Sequence, residues 1–363
     1  MKPIMQFGAI LEHFMGATVL VTGGTGLIGR QVVDILVEAG AQVKVVSLDR
    51  FEVNDRAEHV YGDLTEFAFC KQVTRDIDYV FHIAGIGASV KSAKTKIASH
   101  LVPMLQMNTN MLEASRLNGV KKVVFTSSVG AYQDMGVFKE SEYKLESTPM
   151  DFAGWAKRMA EAQIHAYRVE HGLDNFAVVR PPNVYGPGDN FHPDHALVIP
   201  SLMYRIHQGE NPLVVWGDGT CERDFVYSED VARGIVQALW HGTPSGFVNI
   251  GSGRTYTIRE LVETLNTFID FEYAFDATKP TGVRKRLLDI SLAQETLGYR
   301  PTTSLLDGLK LTWAWFLDNP KEYTQKVCYF EKEQHDVSLV EMGQRDRQVE
   351  TGTTMNGVSH VPC

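Results

Sequence analysis

The chain has 363 residues, 44% hydrophobic and 22% charged, with 35 Lys+Arg against 44 Asp+Glu for a formal net charge of −9. That is enough to bury a core without disulfides or a structural metal, and an acidic chain without a basic block argues against nucleic acid or an anionic membrane as partner. Cys70, Cys221, Cys328 and Cys363 form no C-x-x-C pair, which argues against a zinc cage and fits a reducing, cytoplasmic compartment. No apolar run approaches the roughly 18 residues of a membrane span, and Glu12 and His13 interrupt the apolar N-terminus, which makes it a poor signal peptide.

In chain order, residues 17–21 (ATVLV) predict a buried strand. Leu27–Glu38 predicts a helix: Ile28, Val32, Ile35 and Leu36 share a face and Gly40 ends it. Residues 43–48, 78–83 and 120–127 predict further strands, with helices between them that include 105–117. A long helix over 152–170 leads into the strand Phe176–Arg180. This rhythm implies an α/β fold, a Rossmann-type doubly wound parallel sheet. After Pro181 the pattern loosens, with helices expected at 200–208 and 258–268 and a short strand at Leu213–Trp216. The expected division is a dinucleotide-binding domain over 1–181, to which 225–250 returns. A smaller C-terminal substrate-binding lobe takes 182–224 and 251–328, and 329–363, polar and aperiodic, is expected to be a flexible tail.

Between the first strand and the first long helix the chain reads TGGTGLIG, with Gly23, Gly26 and Gly29 spaced G-x-x-G-x-x-G. The first glycine turns tightly, the second lets backbone approach a pyrophosphate, and the third packs helix on strand. The helix N-terminus then offers N–H groups to that pyrophosphate. Asp49 follows Gly29 by about 20 residues, where a carboxylate accepts from ribose hydroxyls and repels a 2′-phosphate. NAD is therefore expected over NADP, although Arg50 could hold a phosphate. Asp63, followed by Leu64, could face the adenine, and Ile83, Ala84 and Gly85 are small enough to leave the cofactor room.

Taken together, TGGTGLIG, YGDL, VVFTSSVGAY, AGWAKRMAE, RPPNVYGPG, WGDGTCERDFVYSEDVA and NIGSGRTYTIREL resemble the extended short-chain dehydrogenase/reductase family, which acts on nucleotide sugars. They span roughly residues 17 to 320. The segments GPGDNFHP, VIPSLMYRIHQ, WGDGTCERDF and KPTGVRKRLLDIS are most similar to the GDP-fucose synthase branch of that family. The resemblance implies an NAD-type cofactor held also by Leu27, Ile28, Asn108, Thr126 and Pro182. It implies a nucleotide sugar, as a GDP-sugar, held by Gly87, Ser128, Val129, Asn183, Val198, Arg205, Trp216, Arg223 and Arg286. Arg205 and Arg223 are of the type that pairs with a diphosphate. The family further implies a homodimer in which helices within 101–117 and 152–170 of each subunit form a four-helix bundle.

Family chemistry moves a hydride at a sugar carbon, usually C4. It uses a Tyr as proton carrier, a Lys four residues later and a Ser or Thr on the reacting oxygen. Ser128 and Lys157 match the Ser and the Lys, but the Tyr position is Ala153, and none of the 13 tyrosines precedes a Lys by four. Three readings stay open. One is a deliberate Tyr-to-Ala substitution that holds ligands without turnover. Another is a non-catalytic relative that binds NAD and a nucleotide sugar as sensor or partner. In the third, another group, Tyr132 or a water, carries the proton. The Cys and His that perform 3,5-epimerisation in the GDP-fucose synthase branch correspond to Gly130 and Leu197. The Asp-Glu pair of the 4,6-dehydratases corresponds to Val129 and Gly130, so neither reaction has its acid and base. His192 and His195 are expected to belong to a substrate-covering loop and not to a metal site, since Pro193 disfavours a ligand-bearing helix.

Overall fold

The computed structural model describes residues 4–87, 95–279 and 283–327; the expected tail at 329–363 lies outside them. The chain divides into two units, Met1–Lys326 and Val327–Cys363, and the first holds every described helix and strand.

Seven strands rich in β-branched and aromatic residues form one parallel sheet. They are β1 (Thr18–Thr22), β2 (Gln42–Ser47), β3 (Glu58–Tyr61), β4 (Tyr79–His82), β5 (Lys122–Thr126), β7 (Phe176–Arg180) and β12 (Val248–Asn249). β6 (Val137–Phe138) precedes β7 in the chain but pairs elsewhere. The spatial order is β12-β7-β5-β4-β1-β2-β3, all neighbours parallel. Parallel neighbours need crossovers, and helices supply most of them: α2 (Leu27–Glu38) between β1 and β2, α3 (Phe67–Val73) between β3 and β4, α4 (Ile97–Leu117) between β4 and β5 and α5 (Phe152–His171) between β5 and β7, with α6 (Val198–His207) and α7 (Ser228–His241) between β7 and β12. α1 (Phe7–Glu12) precedes β1, and β2 runs to β3 without a helix. α2 packs on α7, while α4 packs on α3 and α5, so helices cover the sheet in two groups. Chain direction switches between β1 and β4, and their C-terminal ends open the crevice where such folds bind ligands.

A second core, with Phe191, Leu202, Met203, Leu213, Leu261 and Phe316 buried together, belongs to the later elements. β8 (Asn183–Tyr185) pairs with β11 (Phe225–Tyr227), and β9 (Leu213–Trp216) with β14 (Tyr273–Asp276). β6 joins β10 (Glu222–Arg223), β13 (Tyr256–Thr257) and β15 (Lys285–Leu288) in a four-stranded sheet. α8 (Ile258–Asn266), closed by a Thr257/Glu260 capping box, packs with α10 (Leu305–Asp318); α9 (Ser291–Leu297) lies on α7.

Arg180, at the end of β7, is fully buried. Its guanidinium forms a two-pronged pair with Glu161 of α5, with Nε 2.9 Å from Oε1, and lies 3.5 Å from the Phe247 ring centre and 4.2 Å from that of Tyr132. Burial works against its charge, but Glu161 outweighs burial and holds the guanidinium above its ordinary value. The pair ties the sheet to the helix that carries Lys157. A Glu161→Ala variant leaves a buried cation unpaired, so we expect a loss of about 3–5 kcal/mol of stability, read from the urea unfolding midpoint.

Candidate active site

β1 ends at Thr22 and α2 begins at Leu27, so the glycine turn sits at the C-terminal edge of the sheet. Gly23 has φ +69°, and a Cβ there would stand 2.8 Å from Ala84 Cα at the end of β4. A Cβ on Gly29 would stand 2.1 Å from the Gly23 carbonyl oxygen, so the first turn of α2 lies directly on the loop. Gly26 caps α2 with no side chain in place, leaving the first N–H groups of Leu27, Ile28 and their neighbours for an anion. Asp49 lies just past β2. Its Oδ2 accepts from Thr25 Oγ1 at 2.6 Å, and its N–H donates to Ser47 Oγ at 3.0 Å, which fixes the carboxylate at the edge of the turn. This set of groups fits a dinucleotide: a bare helix start for phosphates and a held carboxylate for ribose hydroxyls.

Other predicted cofactor residues have their own work. Asp63 Oδ1 accepts from Thr65 N and Oγ1, both at 2.9 Å, in the turn before α3. Leu64 is buried, and its carbonyl accepts from Asn110. The N–H groups of Ile83 and Ala84 donate to Thr22 Oγ1 at 3.2 and 3.3 Å, which sets the chain after β4 beside the glycine turn. Arg50, Gly85 and Gly87 are exposed and Pro182 is half-buried.

Lys157 is buried on α5 and donates to the Thr126 carbonyl at 2.7 Å. Its amine lies 3.6 Å from where a Cβ on Gly85 would stand, so it meets the chain leaving β4. Burial pulls the amine down to about 8, partly opposed by Glu161 one turn along. Beside it, His82 donates from Nε2 to Asn108 Oδ1 at 3.1 Å when Nδ1 accepts from Thr22 at 2.8 Å. Burial and the nearby Lys157 ammonium hold that imidazole neutral, down to about 3. Asn108 Nδ2 and Thr126 Oγ1 are buried without a partner, as expected of groups that complete a polar site.

Ser128 is extended and caps the short turn Val129–Ala131, its Oγ accepting from Gly130 N at 3.1 Å. Ala153 is half-buried in the first turn of α5, after Asp151, which caps that helix by accepting from Gly154 N at 2.7 Å. A Cβ on Gly130 would stand 3.5 Å from Ser128 Oγ and 3.6 Å from Asp151 Oδ1, so the two helix starts meet beside Ala153. Tyr132 does not replace the absent phenol. It is fully buried, it donates to Asn249 Oδ1 at 3.0 Å, and burial drives its phenol well above the ordinary value.

A cleft of about 1210 Å³ runs from Asp151 and Phe152 past Asn183, Val198, Arg205, Trp216, Arg223 and Arg286. The register of β10 on β15 sets Arg223 opposite Arg286. Among the described residues neither has a carboxylate within 4.0 Å. Arg223 Nη1 donates to the Glu222 and Val283 carbonyls at 2.8 and 2.7 Å; Arg286 Nε is buried without a partner. Burial, with Arg286 alongside, pushes the Arg223 guanidinium below its ordinary value. Two cations side by side with no carboxylate in contact suit a diphosphate. Arg205 lies in the cleft but is committed elsewhere. It grips Glu210 (Nε to Oε2, 2.6 Å) and donates to Val214 O at 2.6 Å, bracing α6 against β9. Trp216 is 64% exposed on the lining, an open platform for an aromatic base. The sequence reading did not single out Asp151 or Cys221, which also line the cleft; an Asp before a helical run was the available signal for the first. The His192 and His195 rings stack at 4.9 Å, and His192 Nδ1 accepts from Asp194 N in its own turn. Among the described residues no three metal-ligating side chains gather.

Two outcomes follow. Gly29→Ala forces the turn from the helix, so dinucleotide affinity, read by calorimetric titration with NAD, should fall by more than about tenfold, with roughly 1–3 kcal/mol of stability lost. Below pH 8 the fold holds the Lys157 ammonium against its preference. Between about 8 and the ordinary 10.5 the unfolded chain binds the extra proton, so this residue's contribution to stability rises with pH. The deficit in urea midpoint of the wild-type chain relative to Lys157→Met should therefore be widest below pH 8 and narrow towards pH 10.

Comparison with known proteins identifies the family. The profile of the NAD dependent epimerase/dehydratase family matches residues 19–251. GDP-L-fucose synthase 1 of Arabidopsis thaliana is 33% identical over 315 residues, covering 84% of this chain and 94% of that protein. The structure of UDP-glucose 4-epimerase from Thermotoga maritima with UDP-glucose is 32% identical with a TM-score of 0.75, covering 84% of this chain and 99% of that one. UDP-glucuronic acid 4-epimerase from Bacillus cereus, in complex with UDP-glucuronic acid and NAD, is 25% identical with a TM-score of 0.71, covering 83% and 99%. No described helix is long and apolar enough to cross a membrane. The chain belongs to the NAD dependent epimerase/dehydratase family, the extended short-chain dehydrogenase/reductases.

Proposed function

We propose that the chain is a nucleotide-sugar epimerase or oxidoreductase that takes a GDP-sugar, holds NAD in preference to NADP and acts by hydride transfer at C4. As it stands, it lacks its proton carrier at Ala153. One observation carries this reading: Ala153 stands one turn before the buried Lys157 on α5, near the short turn that Ser128 caps, where the chemistry needs a phenol. Bound NAD would accept the hydride and could return it. Gly23, Gly26, Gly29 and Asp49 would hold that cofactor, and Lys157 its nicotinamide ribose. Ser128 would hold the reacting oxygen, while Arg223 and Arg286 take the diphosphate and Trp216 the base. The preference for NAD rests on Asp49, held by Thr25 where a 2′-phosphate would sit. The guanine assignment rests on the GDP-L-fucose synthase relatives. Buried Gly130 and exposed Leu197 cannot move protons at C3 and C5, which leaves redox at one carbon.

The existence of two buried cores supports a cofactor domain over 1–181 with 225–250 and a substrate lobe over 182–224 with 251–328, although residues of 288–299 pack on the first core and Phe225 and Tyr227 on the second. Val102 on α4 and Phe152, Trp155 and Met159 on α5 are exposed apolar side chains, which supports pairing of these helices in a homodimer. Buried Cys70, whose thiol donates to the Leu64 carbonyl and not to a disulfide, suits a reducing cytoplasm. A second reading, a non-catalytic binder acting as sensor or partner, is favoured by the same methyl group beside an otherwise complete set of binding residues.

Ala153→Tyr separates the two. With GDP-mannose, 6-deoxy-4-keto GDP-sugars and GDP-heptoses, we expect turnover to rise by about 10²–10⁴, followed by nicotinamide absorbance and product mass. A product of equal mass identifies an epimerase, and a two-hydrogen difference identifies a dehydrogenase or reductase. No turnover with NAD still bound selects the binder.

A further inference from the structure

The last described residues of the first unit return to the glycine turn. Arg30, in the second turn of α2, donates from Nη2 to the Thr25 carbonyl at 3.0 Å and to Glu322 Oε1 at 2.6 Å. Glu322 opens the short 3-10 turn Glu322–Gln325, 292 residues along the chain from Arg30. Lys326 follows, its amine 4.0 Å from Glu322 and 2.5 Å from the Gly188 carbonyl. Thr25 is the residue whose hydroxyl holds Asp49. One unbroken set of contacts therefore runs from Lys326 through Glu322, Arg30 and Thr25 to the carboxylate expected to read the adenosine ribose.

These contacts are buried. The Arg30 and Glu322 side chains are 11% and 16% exposed, and the Arg30 guanidinium lies 5.1 Å from the Trp315 ring centre on α10. Gly188, at φ +79°, touches it so closely that a Cβ would stand 2.1 Å from Arg30 Nε. Burial, with Arg30 nearby, lowers the Lys326 ammonium, while the carboxylates of Glu322, Asp189 and Asp49 act to raise it. Lys326 thus sits within electrostatic reach of the ribose-reading carboxylate. Arg30 Nε and Asp189 Oδ2 are both buried without partners in this cluster. A surface ion pair would be worth little, but a desolvated one that also grips a loop carbonyl fixes the loop.

We infer that residues 322–326 form a strap whose Glu322 and Lys326 are positioning residues for the cofactor: they hold the glycine turn, and through Thr25 the Asp49 carboxylate, in the form that binds a dinucleotide. The inference rests on the cofactor site proposed above. The strap acts through Arg30, and the turn itself makes the contacts. Loosening the strap weakens NAD and NADP alike, because the whole turn relaxes.

The test compares the full-length chain with Glu322→Gln, Glu322→Asp and Lys326→Met. Calorimetric titration with NAD and with NADP gives affinity, and the melting temperature without cofactor gives stability. We expect Glu322→Gln and Lys326→Met to weaken NAD by about tenfold, the scale of one charge-assisted hydrogen bond, and Glu322→Asp to recover much of the loss. Unchanged affinity in both variants overturns the inference. So does a lower melting temperature with unchanged affinity, which would make the strap a structural tie only. If the unaltered chain binds neither dinucleotide, the cofactor reading itself fails, and that outcome is distinct from the other two.

Discussion

The buried pair of Glu161 and Arg180 is the constraint on which the site rests. α5 must be pinned to the sheet in one rotation and one height, because Lys157 lies one turn before Glu161 and its amine must reach the end of β5. Apolar packing alone tolerates small slides of a helix across a sheet. A two-pronged carboxylate–guanidinium contact does not, and three aromatic rings around Arg180 leave it no alternative place. Ser127 donates to the same carboxylate, so the strand end bearing Thr126 and Ser128 is fixed by the network that fixes the helix. The hydroxyl and the amine of the site are thereby set relative to one another before any ligand arrives.

Charge is distributed to match. Asp49 stands at the edge of the glycine turn and Arg223 and Arg286 face each other in the cleft, while Lys157 and His82 are held low by burial. Arg223 and Arg286 repel one another when the cleft is empty. An anion in the cleft would relieve that cost, which is what makes the pair suited to the proposed diphosphate. Arg205 illustrates the contrast: Glu210 pairs with its guanidinium, and its bond to Val214 O ties α6 to β9.

Much of this was legible in the sequence wherever a local pattern carries the information. The strands at β1, β2, β5 and β7 are apolar runs bounded by turns, and α2 has a clear apolar face. α4 begins at Ile97 and not near 105 because Pro103, an expected breaker, is buried within the helix and packing overrides it. The two-residue strands β6, β10 and β13 are too short to leave a periodic trace, although β10 carries Arg223 and sets it opposite Arg286 on β15. The glycine turn, Asp49, Ser128 and Lys157 follow from spacing. The Glu210 partner of Arg205, the burial of Tyr132 and the return of 322–326 to Arg30 do not, because each depends on which distant segments meet.

Ala153 separates two things that a family motif normally joins. Binding needs the turn, the arginines and the lysine. Turnover needs, in addition, a group that moves a proton in step with the hydride. The binding residues are retained in full physical detail, down to unpartnered polar atoms on Asn108 and Thr126 beside the lysine. Such buried polar atoms call for a partner, which a bound ligand or water would supply. A protein that had lost its ligands would be free to fill this pocket with apolar side chains and gain stability. That these polar groups are kept instead supports the proposed binding role, whatever becomes of the proton.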